Sequence, residues 1–524
     1  MKASRALVGA AGLVAVLTLV SRLMGLVRKI AQSWALSDGP VATAYDTANT
    51  VPNVLFEVAA GGALAGAIIP LLSRYLSQGK TREADQTASA LLTWISAIGI
   101  PLAAMVAIAA GPIVSFLLPD SDPAIRAVAS TLLRIFAIQV PLYGLSVVAT
   151  GVLQSHGHFV LPALSPLLSS LAVSAAFLGY STIADPFADP STLSWSALAL
   201  LGWGTTAGVV LFSLPQLLLA GRYARLRPTM TFPPGAGRQT VRLGLAGLAA
   251  LLAQQIAIIA IMVTANGLGD VGTYAAFNYS YAIFMVPYAV LAVPIATVVF
   301  PQISAATGER LQILTAQSTR LVFAMGMVSA ALLFVLAEPA KIVLEMGRDI
   351  TGIDTALRAM SLGLVGFSLL YHGARVLYAQ NAPGRVIASN TLAWGGVVVG
   401  LIITYAAGVE GRTQTLNAIG FTMSGGLTIG AVAVLAMIRS VVGDHAIRGI
   451  GRLGAILAPA LAVAGAAALW LTNTILEAGS GTILSAILAA VVGALILLGT
   501  AALCIYVADR RALSSLSKSD SVGE

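Results

Sequence analysis

Apolar stretches long enough to cross a bilayer recur from one end of this chain to the other, and nothing else constrains its fold so tightly. A helical crossing takes about 20 apolar residues. On that measure the sequence reads as roughly fourteen spans, near 6–27, 41–73, 88–118, 127–154, 158–182, 193–220, 242–267, 272–304, 316–345, 355–380, 385–408, 414–438, 450–472 and 482–508. Composition excludes a soluble globule: 58% of the 524 residues are hydrophobic and 10% charged, with a mean hydropathy of +0.90. The expectation is an all-α integral membrane protein. The opening run resembles a signal peptide, but its apolar part is too long and it ends on cations, so it reads as a retained first span. A single cysteine, Cys504, leaves no disulfide within the chain and no thiolate metal site.

Short loops rich in Lys and Arg stay on the cytoplasmic side. With the N-terminus inside, the even-numbered connections collect Arg74, Lys80 and Arg82, then Arg222, Arg225, Arg227 and Arg238, then Arg439, Arg448 and Arg452. The opposite connections carry Asp120, Asp122, Asp185, Asp189, Glu410 and Glu477. Both termini are expected in the cytoplasm, in a multi-pass membrane protein. The net charge of +8 and pI near 9.7 then reflect topology and anionic lipid, with no call for nucleic acid.

The longest cytoplasmic connection, 221–242, mixes basic residues with Pro and Gly and reads as a linker between halves. AIIPLLS at 67–73 resembles TVVFPQIS at 297–304, GPIV at 111–114 resembles EPAKIV at 338–343, and GVLQSHGHFVLP at 151–162 resembles RVLYAQNAPGRV at 375–386. These offsets of roughly 225–230 residues suggest a repeat about an axis along the membrane normal. The expected divisions are an N-terminal six-helix lobe (1–220), the linker (221–242), a second six-helix lobe (243–440) around a shared central cavity, two additional helices (441–508) and a cytoplasmic tail (509–524).

Charges within spans point to the site, because an ion left in hydrocarbon costs several kcal/mol unless it meets a partner or water. Arg22 is the leading candidate, either as a cavity-facing substrate contact or in a structural salt bridge. Arg28 and Lys29 end the same span, as further substrate contacts or as cations reaching toward headgroups. Asp46 and Glu57 lie eleven residues apart, about three turns, and thus on one helix face. Either is a charge partner for those cations, as a gate or as a static pair. Pro52, Gly61, Gly62 and Pro70 interrupt the second segment and read as a hinge. In the second lobe, Glu338, Lys341 and Glu345 have the spacing of a local ion pair. Arg375 reads as a snorkelling cation, and His372 beside it is a candidate for proton coupling.

Nucleotide-binding and nucleophile motifs are missing from the sequence, and its four histidines are scattered. The chain reads as a transporter rather than an enzyme, with no cofactor expected and with a coupling ion or the membrane potential left open as the energy source.

SRLMGLVRK at 21–29, followed by VPNVLFEVAAGGALAGAIIPLLSRY at 51–75 and VPYAVLAVPIATVVFPQIS at 286–304, resembles the MurJ/MviN family of lipid II flippases. That family belongs to the larger group of multidrug, oligosaccharidyl-lipid and polysaccharide exporters. The resemblance implies alternating access and outward movement of a polyprenyl-diphosphate-linked peptidoglycan precursor. Partners would be that substrate, membrane lipids and possible cell-wall synthesis enzymes. It also implies that Arg22 and Arg28 match the first-span arginines of the family's cavity, while Phe56, Glu57, Ala282 and Thr43 stand where the family pattern carries charged residues. Two alternatives fit the same spans: a flippase for another polyprenyl-linked glycan, and a drug or ion antiporter of the same superfamily.

Overall fold

A computed structural model of the chain describes residues 2–58, 65–346, 348 and 350–508. Those residues form helices and the turns between them, with no strand among them. Backbone polar groups in hydrocarbon must be satisfied within the segment, and the helix does so. Among the described residues, eleven helices are long and apolar enough to cross a membrane, or twelve if one bent pair counts as a single span. The expected second span is two helices, Pro40–Glu57 and Ala65–Ser77. Gly61 and Gly62 of the expected hinge lie outside the described residues, while Pro52 is buried inside the first of these helices and Pro70 exposed on the second.

The chain divides into two compact units, Met1–Gln255 and Ile256–Glu524. The first holds α1 (Lys2–Leu36), α2 (Pro40–Glu57), α3 (Ala65–Ser77), α4 (Thr81–Ile108), α5 (Ala110–Leu117), α6 (Pro123–Phe136), α7 (Gln139–Ser155), α8 (Val160–Tyr180) and α9 (Trp195–Tyr223). The division falls within α10 (Ala236–Leu268). The second unit continues with α11 (Thr273–Pro287), α12 (Val293–Ala305), α13 (Gly308–Val335), α14 (Ala337–Glu345), α15 (Ile353–Ser361), α16 (Gly363–Ala379), α17 (Pro383–Ala406) and α18 (Arg412–Val442). It closes with α19 (Ile450–Ala478) and α20 (Ile483–Ala508).

Helix lengths repeat from α1–α9 to α10–α18. The long fourth member has 28 residues in both units, and a short helix of 8 or 9 residues follows it. Local chemistry sets the breaks. Asp122 caps α6 by accepting from the Ala124 amide at 2.6 Å, with Pro123 in the first turn. Met346 ends α14 in the left-handed conformation. One π turn, Tyr288–Ala292, lies between Pro287 and Pro294, where the normal hydrogen-bond ladder loses donors.

Glycine decides how the helices pack. Gly204 and Gly208 of α9 face Ala176 and Val173 of α8, and Gly426 and Gly430 of α18 face Ala393 of α17. The spacing is the small-residue pair that lets two backbones approach in a membrane, where no hydrophobic force distinguishes helix from lipid. At Gly426 the neighbour is backbone: a Cβ would lie 2.6 Å from the Ala393 carbonyl oxygen and 2.7 Å from the Val397 nitrogen.

After α9 the chain runs extended along α4. Ser89 Oγ accepts from the Arg227 amide at 3.0 Å and Thr93 Oγ1 from the Thr229 amide at 3.1 Å. Trp94 Nε1 donates to the Met230 carbonyl at 3.0 Å, and Gln86 Nε2 to the Thr231 carbonyl at 3.0 Å. The first half of the 221–242 connection is therefore fastened to the first unit.

Gly426→Ala is expected to destabilise the protein by about 2 kcal/mol through backbone overpacking. Gly425→Ala, where a Cβ meets nothing within 4 Å, should leave stability unchanged. Thermal unfolding of the two variants in the same detergent measures the difference.

Candidate functional site

Lys29 of α1 faces Asp46 of α2 because the turn between the two helices is short and tightly packed. Ser37 adopts a positive φ of 49°, and Ser37 and Asp38 are buried. Gly39 sits so close to the Pro186 carbonyl that a Cβ there would be 2.4 Å from the oxygen. Pro40 then starts α2 at the position where its missing amide costs nothing. With the turn held, residues a similar distance before and after it come opposite each other.

Lys29 and Asp46 are such a pair, with Nζ 3.6 Å from Oδ1. Gln32 closes a triangle: Lys29 Nζ donates to Gln32 Oε1 at 2.9 Å, and Gln32 Nε2 donates to Asp46 Oδ2 at 3.0 Å. Asp46 is 3% exposed and Lys29 19%. A buried ion pair persists when further hydrogen bonds satisfy what the partner ion leaves over, and the Gln32 amide does this for both ions.

The three cations divide by direction. At 3.6 residues per turn, Arg22, Lys29 and Ser33 fall on one stripe of α1, and Ser21, Arg28 and Gln32 on another, about 100° round. Ser21 is buried and donates to the Ala163 carbonyl of α8 at 2.8 Å. Arg28, on that stripe, is half-buried, and its charge is felt at the hydroxyls of both Tyr45 and Tyr143. No salt bridge to Arg28 occurs among the described residues. Arg22 is exposed.

A polar seam continues along α2. Asp46, Asn53 and Glu57 recur at seven and four residues, one face of a helix. Tyr143 of α7 donates to Asn53 Oδ1 at 3.4 Å, and its ring packs against Phe56 at 4.4 Å between centroids, tilted by 31°. Glu57 is exposed at the end of α2, and its charge is also felt at Tyr143. The seam from Asp46 to Glu57 is about 16 Å long at 1.5 Å per residue. It carries a neutralised cation at one end, a free carboxylate at the other, and Arg28 facing the same tyrosine. The seam thus sets Arg28 between the Lys29–Asp46 pair at one end and the Glu57 carboxylate at the other.

Two of these groups escape a reading of charges alone. Gln32 carries a signal, a polar residue three positions after Lys29 in an apolar run. Tyr143 carries none, since only the packing of α7 against α2 brings it to Asn53. In the second unit, Lys341 pairs with Glu338 at 3.8 Å and Glu345 at 3.7 Å. Arg375 does more than reach for headgroups. Its guanidinium lies 4.1 Å from the Tyr371 ring centroid and donates to Thr297 Oγ1 at 2.8 Å. His372 is buried against Ser318 and Thr319, at 3.3 and 3.2 Å from Nε2. Both hydroxyls already donate to backbone carbonyls, so Nε2 carries the proton and donates to them.

The same helical fold recurs in solved structures of membrane transporters. A solved structure described as a lipid II flippase MurJ in an inward closed conformation superposes with a TM-score of 0.75 at 17% identity, covering 94% of this chain and 98% of that one. An inward-facing multidrug resistance MATE family transporter of the MOP superfamily superposes with a TM-score of 0.65 at 16% identity, over 81% of this chain and 97% of that one. These likenesses establish the fold.

Sequence establishes the family. The model of the family described as lipid II flippase MurJ matches residues 33–491, and the chain belongs to that family. A lipid II flippase MurJ from Burkholderia cenocepacia is 27% identical over 69% of this chain and 71% of its own length. A probable lipid II flippase MurJ from Haemophilus influenzae is 25% identical over 77% of this chain and 83% of its own. A probable lipid II flippase MurJ from Synechocystis sp. is 32% identical over 41% of this chain and 40% of its own length.

Removing one partner of the Lys29–Asp46 pair strands the other. Asp46→Ala is expected to cost about 3 kcal/mol, the low end for a buried pair because Lys29 keeps some solvent. The double variant Lys29→Met with Asp46→Leu should recover most of that loss. Unfolding in detergent of the single and double variants checks both values.

Proposed function

We propose that this chain moves lipid II from the cytoplasmic to the outer leaflet of the bacterial cytoplasmic membrane by alternating access, with both termini in the cytoplasm. Family membership and the fold shared with MOP superfamily transporters support the reading. A diphosphate bearing sugars and peptide does not cross hydrocarbon unaided, because an isolated ion transferred from water to an apolar medium costs tens of kcal/mol. The polyprenyl tail meets no such barrier. A transporter therefore needs a cationic place for the headgroup and a lateral opening for the tail.

One observation carries the assignment of residues. Of two adjacent cations on α1, Lys29 is matched by Asp46 and Gln32, while Arg28 is half-buried without a carboxylate. Arg28 is the diphosphate contact in this reading, and Arg22, exposed two turns deeper, is the second. Lys29 joins them when its pair with Asp46 opens, which makes that pair the gate. Glu57 is the counter-charge for the alternative state. Since residues up to Thr231 are fastened to α4 and α10 begins at Ala236, the linker bends within 232–235.

The test is complementation of a strain depleted of its own lipid II flippase. Arg28→Ala and Arg22→Ala should each abolish growth at normal protein levels, and Arg28→Lys should restore part of it. Growth at the wild-type rate with both arginines replaced would overturn the assignment. Purified protein that bound organic cations but not lipid II would favour a drug antiporter, and retention of a different polyprenyl-linked glycan would reassign the substrate.

A further inference from the structure

The second unit has a lateral groove unrelated to the α1–α2 site. It lies between α13, α15, α18 and α19, has a volume of about 700 Å³, and is lined in part by Ser361 and Leu362 at the bend of 52° between α15 and α16. Its walls are apolar, formed by Phe334, Phe421, Ala462 and Ala466 among others. Phe421 is 63% exposed, so these walls face outward. Four polar side chains, Thr355, Arg358, Ser361 and Asn417, also line it.

The polar groups gather at one end. Gly454 packs on Phe323 and Gly465 on Val335, so α13 and α19 run parallel here. The groove therefore runs from Met327 and Ala458 at one end to Val335 and Leu469 at the other. Glu338, just beyond Val335, meets Arg358 at 3.9 Å, which places the guanidinium at the Val335 end. Along α19 the groove extends from Ala458 to Leu469, about 16 Å at 1.5 Å per residue. That is half of a hydrocarbon core of about 30 Å. A transmembrane helix from a partner would need the whole depth, whereas an acyl chain anchored in one leaflet needs half.

The charges at that end have both signs. Arg358 contacts Asp354 at 3.4 Å as well as Glu338, and Lys341 also meets Glu338, at 3.8 Å. Charge-assisted bonds normally close to about 2.7–2.9 Å. The Arg358 contacts are longer, and a guanidinium has five N–H donors, so it retains capacity for a phosphate. A purely anionic headgroup would also face two carboxylates. A headgroup with both phosphate and ammonium satisfies each sign.

We propose that this groove is a specific site for a diacyl phospholipid with a zwitterionic, amine-bearing headgroup. One acyl chain lies along α19, the phosphate on Arg358, and the ammonium against Glu338 and Asp354. The site is separate from substrate transfer and does not depend on the function proposed above.

Native mass spectrometry of the full chain, delipidated and titrated with phosphatidylethanolamine or phosphatidylglycerol, tests the proposal. One phosphatidylethanolamine should survive collisional activation that strips other lipids, with at least fivefold preference over phosphatidylglycerol. Ala466→Trp, which fills the groove from an exposed helix face, should lower its retention about tenfold, and Ala466→Ser should retain it. Arg358→Gln should erase the headgroup preference. Equal or greater retention of phosphatidylglycerol, or an adduct indifferent to Ala466→Trp, would overturn the proposal. So would displacement by equimolar undecaprenyl phosphate, which would give the groove to a polyprenyl tail.

Discussion

An ion in hydrocarbon must find a counter-ion, a hydrogen bond or water, and the first unit is organised around that requirement. Lys29 and Asp46 meet it together, with Gln32 bonded to both. Their meeting depends on the turn at Ser37–Gly39, wedged against Pro186. The turn sets the register of α1 against α2, and the register brings opposite charges to one level. Arg28, one residue before Lys29, points elsewhere because each helical residue advances about 100°. Adjacent cations therefore have different surroundings, one neutralised and one available.

The same physics operates more weakly in helix packing. Lipid tails are as apolar as leucine, so helices associate through close backbone approach and polar contacts. The glycine pairs of α9 and α18 supply the approach in equivalent places of the two units. Buried hydroxyls supply the contacts, as where Ser424 Oγ donates to the Ala359 carbonyl at 2.7 Å and accepts from the Gly363 amide at 3.0 Å. The break between α15 and α16 thus has its amide satisfied by a neighbouring helix. Ser361 and Leu362 at that break also line the lateral groove.

Much of this fold is legible in the residues. Long apolar runs read as helices because each satisfies its own backbone, and the recurrence of AIIPLLS and TVVFPQIS anticipates the equivalence of α3 and α12. Broken spans were less legible. The run 127–154 reads as one span and Pro123–Ser155 is long and apolar enough to be one, yet its helix is interrupted at Ala137–Ile138 into α6 and α7, since hydropathy measures length and not direction. The candidate cations were visible as charges out of place. Their grouping was less so: Arg22 shares a stripe with Lys29, which only the helix phase reveals, and Arg375 is anchored to Tyr371 and Thr297 across α16 and α12.

What the sequence by itself determined is the medium and the inventory: a helical membrane protein, internally repeated, with a few cations placed where they must be answered. The tertiary structure decided the answers. Asp46 was paired, Arg28 left without a carboxylate, and Tyr143 brought from α7 to Asn53. The reason is that apolarity and charge are properties of single residues and survive in a linear string. Pairing is a property of distances between segments, set by how a turn such as Ser37–Gly39 closes and how nearly two backbones approach.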